Sequence, residues 1–140
     1  MIIMSVILYL PQKERSEEQL LQIIIEAIPD QKIEIYSSLD ELSDRLHQPM
    51  PDIGVAVLYV ANRSELMEII YLGDYLDELK VVLVLPDSDP EFLEKAYILC
   101  PRFIAATESD FKHLGSVLKK MTDLYGKTHW TQQEKYFMKT

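Results

Sequence analysis

Acidic side chains gather past the ends of the fourth and fifth strand-like runs: Asp87, Asp89, Glu91, Glu108 and Asp110. Carboxylates placed this way could hold a hard divalent cation such as Mg²⁺, provided others join them from the first strand. The loop after the first run is Tyr9-Leu10-Pro11-Gln12-Lys13-Glu14, with no carboxylate directly at the strand end. All five acids also stand where helices begin, and the helix dipole stabilises negative charge there. They are therefore expected to be helix-start residues. His47, His113 and His129 lie far apart without paired-ligand spacing, and are expected on the surface. Cys100, beside Pro101, has only Arg102 as a nearby base, which suits a structural thiol better than a reactive one. No metal and no cofactor is expected.

Nucleotide and flavin phosphates need a cradle of backbone N–H groups, supplied by glycines or by a Ser/Thr-rich loop. The loop after Tyr9 has no glycine, and the whole chain has four: Gly54, Gly73, Gly115 and Gly126. The loop after the third run, Leu58-Tyr59-Val60-Ala61-Asn62, offers no acid, base or nucleophile. Hydrolysis and group transfer are thus not expected, and no catalytic residue is assigned. Tyr9 and Tyr59 flank the expected crevice. They leave a small-molecule-binding or enzymatic domain, with an apolar ligand stacked between them, as the alternative function.

The elements that would position these residues alternate regularly. Five apolar runs, 2–10, 32–36, 53–60, 80–85 and 102–106, start about 25 residues apart, each followed by a helix-start pattern. Ser16-Glu17-Glu18-Gln19 and Ser38-Leu39-Asp40-Glu41 have capping-box spacing, and Asn62-Arg63-Ser64-Glu65 repeats it with Asn as the cap. Ser88-Asp89-Pro90-Glu91 adds a proline suited to a first turn, and Thr107-Glu108-Ser109-Asp110 is a weaker fifth example. Leu20, Ile23, Ile24, Ala27 and Ile28, and then Leu114, Val117, Leu118 and Met121, follow helical spacing.

Five βα units predict a three-layer α/β domain of flavodoxin or receiver type, with a parallel sheet. Runs 1, 3 and 4 are apolar nearly throughout, as in strands covered on both faces. The run Lys32-Ile33-Glu34-Ile35-Tyr36 alternates polar and apolar, and 102–106 is short, so both belong at edges. This predicts strand order 2-1-3-4-5 over 3-2-1-4-5, which would expose Val55, Val57 or their neighbours.

At 140 residues the chain has one domain's length. Its net charge of −9 argues against attraction to nucleic acid or an anionic membrane surface. Residues 1–111 hold 8 basic and 21 acidic side chains, net −13, and residues 112–140 hold 6 and 2, net +4. A lone cysteine suits a reducing compartment, and no apolar stretch reaches the roughly 20 residues of a membrane-spanning helix. MIIMSVILYL lacks the basic start of a signal sequence and is expected to be a buried strand. A cytoplasmic location follows.

Over residues 1–126 the pattern resembles a response-regulator receiver domain. Pro51-Asp52-Ile53-Gly54-Val55-Ala56-Val57 is similar to the lead-in to its third strand, and residues 81–87 and 101–107 to its fourth and fifth strands. The resemblance implies an acidic pair after strand 1, where Tyr9-Leu10-Pro11 stands. It implies a phospho-accepting aspartate late in strand 3, where Val57 or Leu58 stands. It also implies a Thr or Ser ending strand 4 and a Lys ending strand 5, where Leu85 and Ala106-Thr107 stand. Phe103 alone matches, at the strand 5 aromatic whose rotamer tracks activation in receivers; as an ordinary edge-strand core residue it would look the same.

This combination identifies a degenerate pseudo-receiver: a phosphorylation-independent signalling or regulatory domain of two-component type that binds another protein and needs no cofactor. In receivers the face made of the fourth helix, fifth strand and fifth helix carries partners. The matching residues are Tyr97, Phe103, Phe111, His113, Lys120 and, beyond them, Trp130. Residues 127–140 form a tail in which Thr131 and Glu134 have capping-box spacing for a short extra helix. Trp130, Tyr136 and Phe137 need cover, either on their own domain or across a homodimer.

Overall fold

The computed structural model describes residues 5–12, 14–49, 53–106 and 110–130, giving only the backbone of Ile53 and of residues 124–130. Five parallel strands form one sheet in the order β2-β1-β3-β4-β5: β1 Ser5–Tyr9, β2 Lys32–Tyr36, β3 Ile53–Tyr59, β4 Lys80–Val84 and β5 Phe103–Ala105. The expected three-layer class and strand order are those observed. Helix α1 (Arg15–Ala27) and the long α6 (Phe111–Trp130) cover one face. Helices α2 (Leu39–Leu46), α3 (Arg63–Tyr71), α4 (Gly73–Leu76) and α5 (Pro90–Ala96) cover the other. A 3-10 turn, Tyr97–Leu99, links α5 to β5.

Successive residues of a strand point to opposite faces, and the central strands use both. Ile7, Tyr9, Ala56, Leu58, Leu83 and Leu85 enter the layer beneath α2 to α5. Val6, Leu8, Val55, Val57, Val82 and Val84 enter the layer beneath α1 and α6. Val55, Val57 and Leu58 have no exposed surface. Leu20 and Ile24 on α1 and Ile28 at its C-cap are buried as their spacing predicts. A Cβ on Gly115 of α6 would lie 3.0 Å from Ile23 Cγ2 and 3.6 Å from Ala27 Cβ, so the absence of a side chain lets the two helices close up.

Two helix starts follow the sequence pattern. Ser38 Oγ accepts from Glu41 N–H at 3.2 Å, and Asn62 Oδ1 accepts from Glu65 N–H at 2.8 Å. The expected box at Ser16–Gln19 does not form. Helix α1 begins at Arg15 with Glu14 in the cap position, so Ser16 lies inside the first turn and its hydroxyl is free to pair elsewhere. At α5 the cap is Asp89, one residue later than Ser88, because Pro90 takes the first helical position. Thr107, Glu108 and Ser109 fall outside the described residues, while Asp110 accepts from Ala106 N–H at 2.9 Å. The third crossover contains two helices, α3 and α4, joined at Leu72. Helix α6 continues past Gly126 to Trp130; Thr131, Glu134, Tyr136 and Phe137 lie outside the described residues.

Strand β2 is the edge its alternation predicts, but its exposed residues are Lys32 and Ile35, while Glu34 is largely covered. Glu34 accepts from Arg45 Nε at 2.8 Å and from the Tyr36 phenol at 2.7 Å, tying strand to helix α2. Burial pushes the Glu34 carboxyl up, but the bonds from Arg45 and Tyr36 and the charge of Arg45 outweigh it and hold the group below its usual range. A lowered folded value means that its stabilisation is present above the unfolded carboxyl's value of about 4.3 and is lost as pH falls through the folded one. Arg45→Gln is therefore expected to lower the urea midpoint at about pH 6 and to change it far less at about pH 3.

Val57→Asp is expected to cost about 3 kcal/mol or more, read from urea denaturation, because it puts a carboxylate into a fully apolar layer. A variant with unchanged stability would place position 57 in an open crevice.

Candidate functional site

In an open parallel sheet of this order, the ligand crevice lies beyond the carboxyl ends of β1 and β3, where the crossovers diverge. The sheet ladder continues one residue past the strands at this rim: Leu10 N–H donates to Tyr36 O (2.9 Å), Val60 N–H to Val84 O (2.8 Å) and Leu85 N–H to Ala105 O (2.8 Å). The rim is accordingly lined by buried Leu10, Val60 and Leu85.

Tyr9 ends β1 with its ring buried and its hydroxyl donating to Glu65 Oε2 at 3.0 Å. The other oxygen of Glu65 accepts from Ala61 N–H at 3.0 Å, so one carboxylate closes the start of α3 and also satisfies the phenol of β1. On the other side of the rim Glu17, from the first turn of α1, is 1 % exposed and accepts from Gln12 N–H at 2.8 Å. Ser16 Oγ and the Tyr59 phenol are 2.6 Å apart, joining α1 to the end of β3. Burial, followed by the charge of and hydrogen bond to Glu65, pushes the Tyr9 phenol well above its usual range.

Further along, Arg63 at the start of α3 pairs with Asp89 and with Glu91 (3.0 Å), and its guanidinium carbon lies 5.8 Å from the centre of the Phe92 ring. The loops after β3 and β4 are thus bridged. Asp87 Oδ1 accepts from Asp89 N–H at 3.0 Å. Among the described residues no group of three or more His, Cys, Asp or Glu side chains is placed to hold a metal ion. Asp87, Asp89, Glu91 and Asp110 stand at helix starts, the first three about α5 and the last at α6; Glu108 is outside the described residues.

Tyr9 and Tyr59 do not form two walls of one stacking slot. Tyr9 belongs to the layer beneath α2 to α5, whereas Tyr59 packs against the layer beneath α1 and α6. Adjacent strands carry them at positions offset by one residue, since Tyr9 pairs with Leu58, and that offset reverses the face. Glu65 and Glu17 are the polar residues at this rim that sequence patterning assigns only to helix starts. The signal for a partner was the phenol itself, because a tyrosine at the end of a buried strand needs a hydrogen-bond acceptor.

The expected interaction residues divide by exposure. Tyr97 is 62 % exposed, and His113 and Lys120 are exposed on α6. Phe103 is half-buried against the α1/α6 layer, and Phe111 is a core residue of that layer. Trp130 closes α6, its side chain outside the description. Cys100 is exposed and takes a left-handed backbone conformation, φ 51°, after the 3-10 turn. His47 is exposed on the far side, its ring 4.1 Å from that of Tyr75.

No family model matches the sequence, and no curated protein does. Solved structures match closely in shape. A CheY-like receiver domain protein from Methanospirillum hungatei JF-1 aligns with TM-score 0.69 and 10 % identity, covering 89 % of this chain and 98 % of the other. The signal receiver domain of a DNA-binding response regulator from Colwellia psychrerythraea 34H aligns at 0.68 and 14 %, covering 86 % and 98 %. An orphan response regulator of H. pylori aligns at 0.62 and 12 %, covering 84 % and 94 %. The chain has the receiver fold.

Tyr9→Phe tests the bond at the centre of the site. Removing a buried phenol's bond to a carboxylate is expected to cost about 1–3 kcal/mol at neutral pH, read from the urea midpoint. A raised folded value means that Tyr9 contributes stability below the unfolded phenol's value of about 10 and loses it as pH rises beyond that. The gap between wild type and variant should therefore narrow in alkali.

Proposed function

We propose that this chain is a receiver-fold signalling domain of two-component type that works by contact with another protein and takes no phosphoryl group on aspartate. The reading is supported chiefly by the Tyr9–Glu65 bond at the end of β1, where the resemblance asks for a metal-holding acidic pair. Val57 and Leu58, at the place of the phospho-acceptor, are both fully buried apolar residues. A phosphoaspartate is dianionic and needs a cation and a lysine to offset its charge. Leu85 and Ala106 at the ends of strands 4 and 5 supply neither hydroxyl nor ammonium.

In this reading the domain is not an enzyme, and its output lies on surfaces away from the crevice. Tyr97, His113 and Lys120 are the exposed members of the α5, β5 and α6 face that receivers use for partners. A homodimer fits the opposite charges of residues 1–111 and 112–140. The acidic body suits neither nucleic acid nor an anionic membrane as partner, and no helix among the described residues is long and apolar enough to cross a membrane. A cytoplasmic place completes the proposal.

Incubation with acetyl phosphate and Mg²⁺ is expected to give no phosphoryl mass increase and no acid-labile adduct. A stoichiometric adduct on Asp52 or Asp87 would overturn the proposal.

A further inference from the structure

A second concavity lies at the opposite pole of the sheet, at the amino ends of β4 and β5. It has a volume of about 380 Å³ and an apolar floor that includes Ile70, Leu76, Leu79 and Leu99. Asp74 and Asp77 line it together with one cation, Arg102, which leaves the lining net acidic, and among the described residues neither aspartate has an ion-pair partner. Ile98 borders the cavity and is 62 % exposed, as is its neighbour Tyr97. Apolar side chains this open, beside unpaired carboxylates, mark a surface shaped for a partner that is both apolar and cationic.

We propose that this cavity is the seat of the chain's own C-terminal segment, 131–140. That segment contains Lys135-Tyr136-Phe137-Met138-Lys139, two ammonium groups bracketing an apolar run. An aromatic ring enters the floor, and the lysines meet Asp74 and Asp77. The geometry of α6 delivers the segment to the correct pole. Helix α6 follows β5 and packs back along the sheet toward the strands' amino ends, where Lys119, Thr122 and Asp123 border the loop Pro29–Gln31 before β2. The seven further residues to Trp130 carry the helix about 10 Å beyond that level. Ten more residues span up to about 33 Å when extended, enough to pass beneath the short β5 edge. The inference concerns the pole away from the crevice, so it stands whether or not the crevice takes a phosphoryl group.

Cys100 is the chain's single cysteine, is exposed, and lines the cavity, which makes its alkylation rate by a small maleimide a direct measure of occupancy. In the full chain, Lys135→Glu with Lys139→Glu is expected to speed alkylation roughly three- to tenfold, the weight of two exposed ion pairs. Asp74→Lys with Asp77→Lys should do the same, and combining all four changes should restore the slow rate. Phe137→Ser, which leaves the charges intact, should also speed it. Protection that grows with protein concentration assigns the segment to a second copy, and protection independent of concentration assigns it to the same copy; both fill the cavity. Equal rates in wild type, the lysine variant and Phe137→Ser, with unchanged circular dichroism, would overturn the proposal.

Discussion

Strands β1, β3 and β4 are dry on both faces, and the remaining structure is arranged around that condition. A strand covered on both sides can carry no polar side chain that lacks a protein partner. Tyr9 is the test of this rule, because it ends the most buried strand with a hydroxyl. Glu65 answers it from the next crossover but one, while also holding the backbone at Ala61. No buried side-chain nitrogen or oxygen among the described residues is left unpaired. The bond that lets β1 end in a tyrosine also ties that strand end to the start of α3.

Further bonds tie neighbouring parts of the rim together. Ser16 reaches Tyr59, Glu17 reaches the backbone of Gln12, and Arg63 reaches Asp89 and Glu91. The Ser16 and Arg63 contacts join different βα units, while the Glu17 bond fixes the loop after β1 to its own helix. The Arg63 pairs are exposed and individually weak, yet the guanidinium also lies over Phe92, a core residue of α5. A rim built this way is held by many small contacts between neighbours.

The layers, the strand order and both edges were legible because burial leaves a mark in composition. Runs such as Val55-Ala56-Val57-Leu58 tolerate no wet face, and the charges of Lys32 and Glu34 mark an edge, although Arg45 and Tyr36 satisfy Glu34 and leave Ile35 the more open residue. Helix starts were legible where a cap acts locally, as at Ser38 and Asn62. They failed at Ser16, whose hydroxyl is claimed by Tyr59 over a sequence separation that no local spacing reveals. The opposite faces of Tyr9 and Tyr59 depend on the register between β1 and β3, which neither strand carries alone. Glu65 was visible as a capping acid, but its second bond belongs to the tertiary structure. Phe111 and Tyr97 show the same limit: two aromatics near helix ends, one in the core and one in solvent.

The two open edges of the sheet have different fates when many copies share a small volume. Strand β5 has three residues, too few to template another strand. Strand β2 has five, with Ile35 48 % exposed, and is the edge on which chains could add. What guards it is the largely covered Arg45–Glu34 pair, which holds the strand to α2, together with exposed Lys32, so that an incoming strand meets a charge and a strand already tied to its own helix. That pair contains the carboxylate that acid neutralises. Growth of sheet upon sheet, and the insoluble matter it produces, would therefore begin at β2 and under acidic conditions, with the rest of the domain still folded.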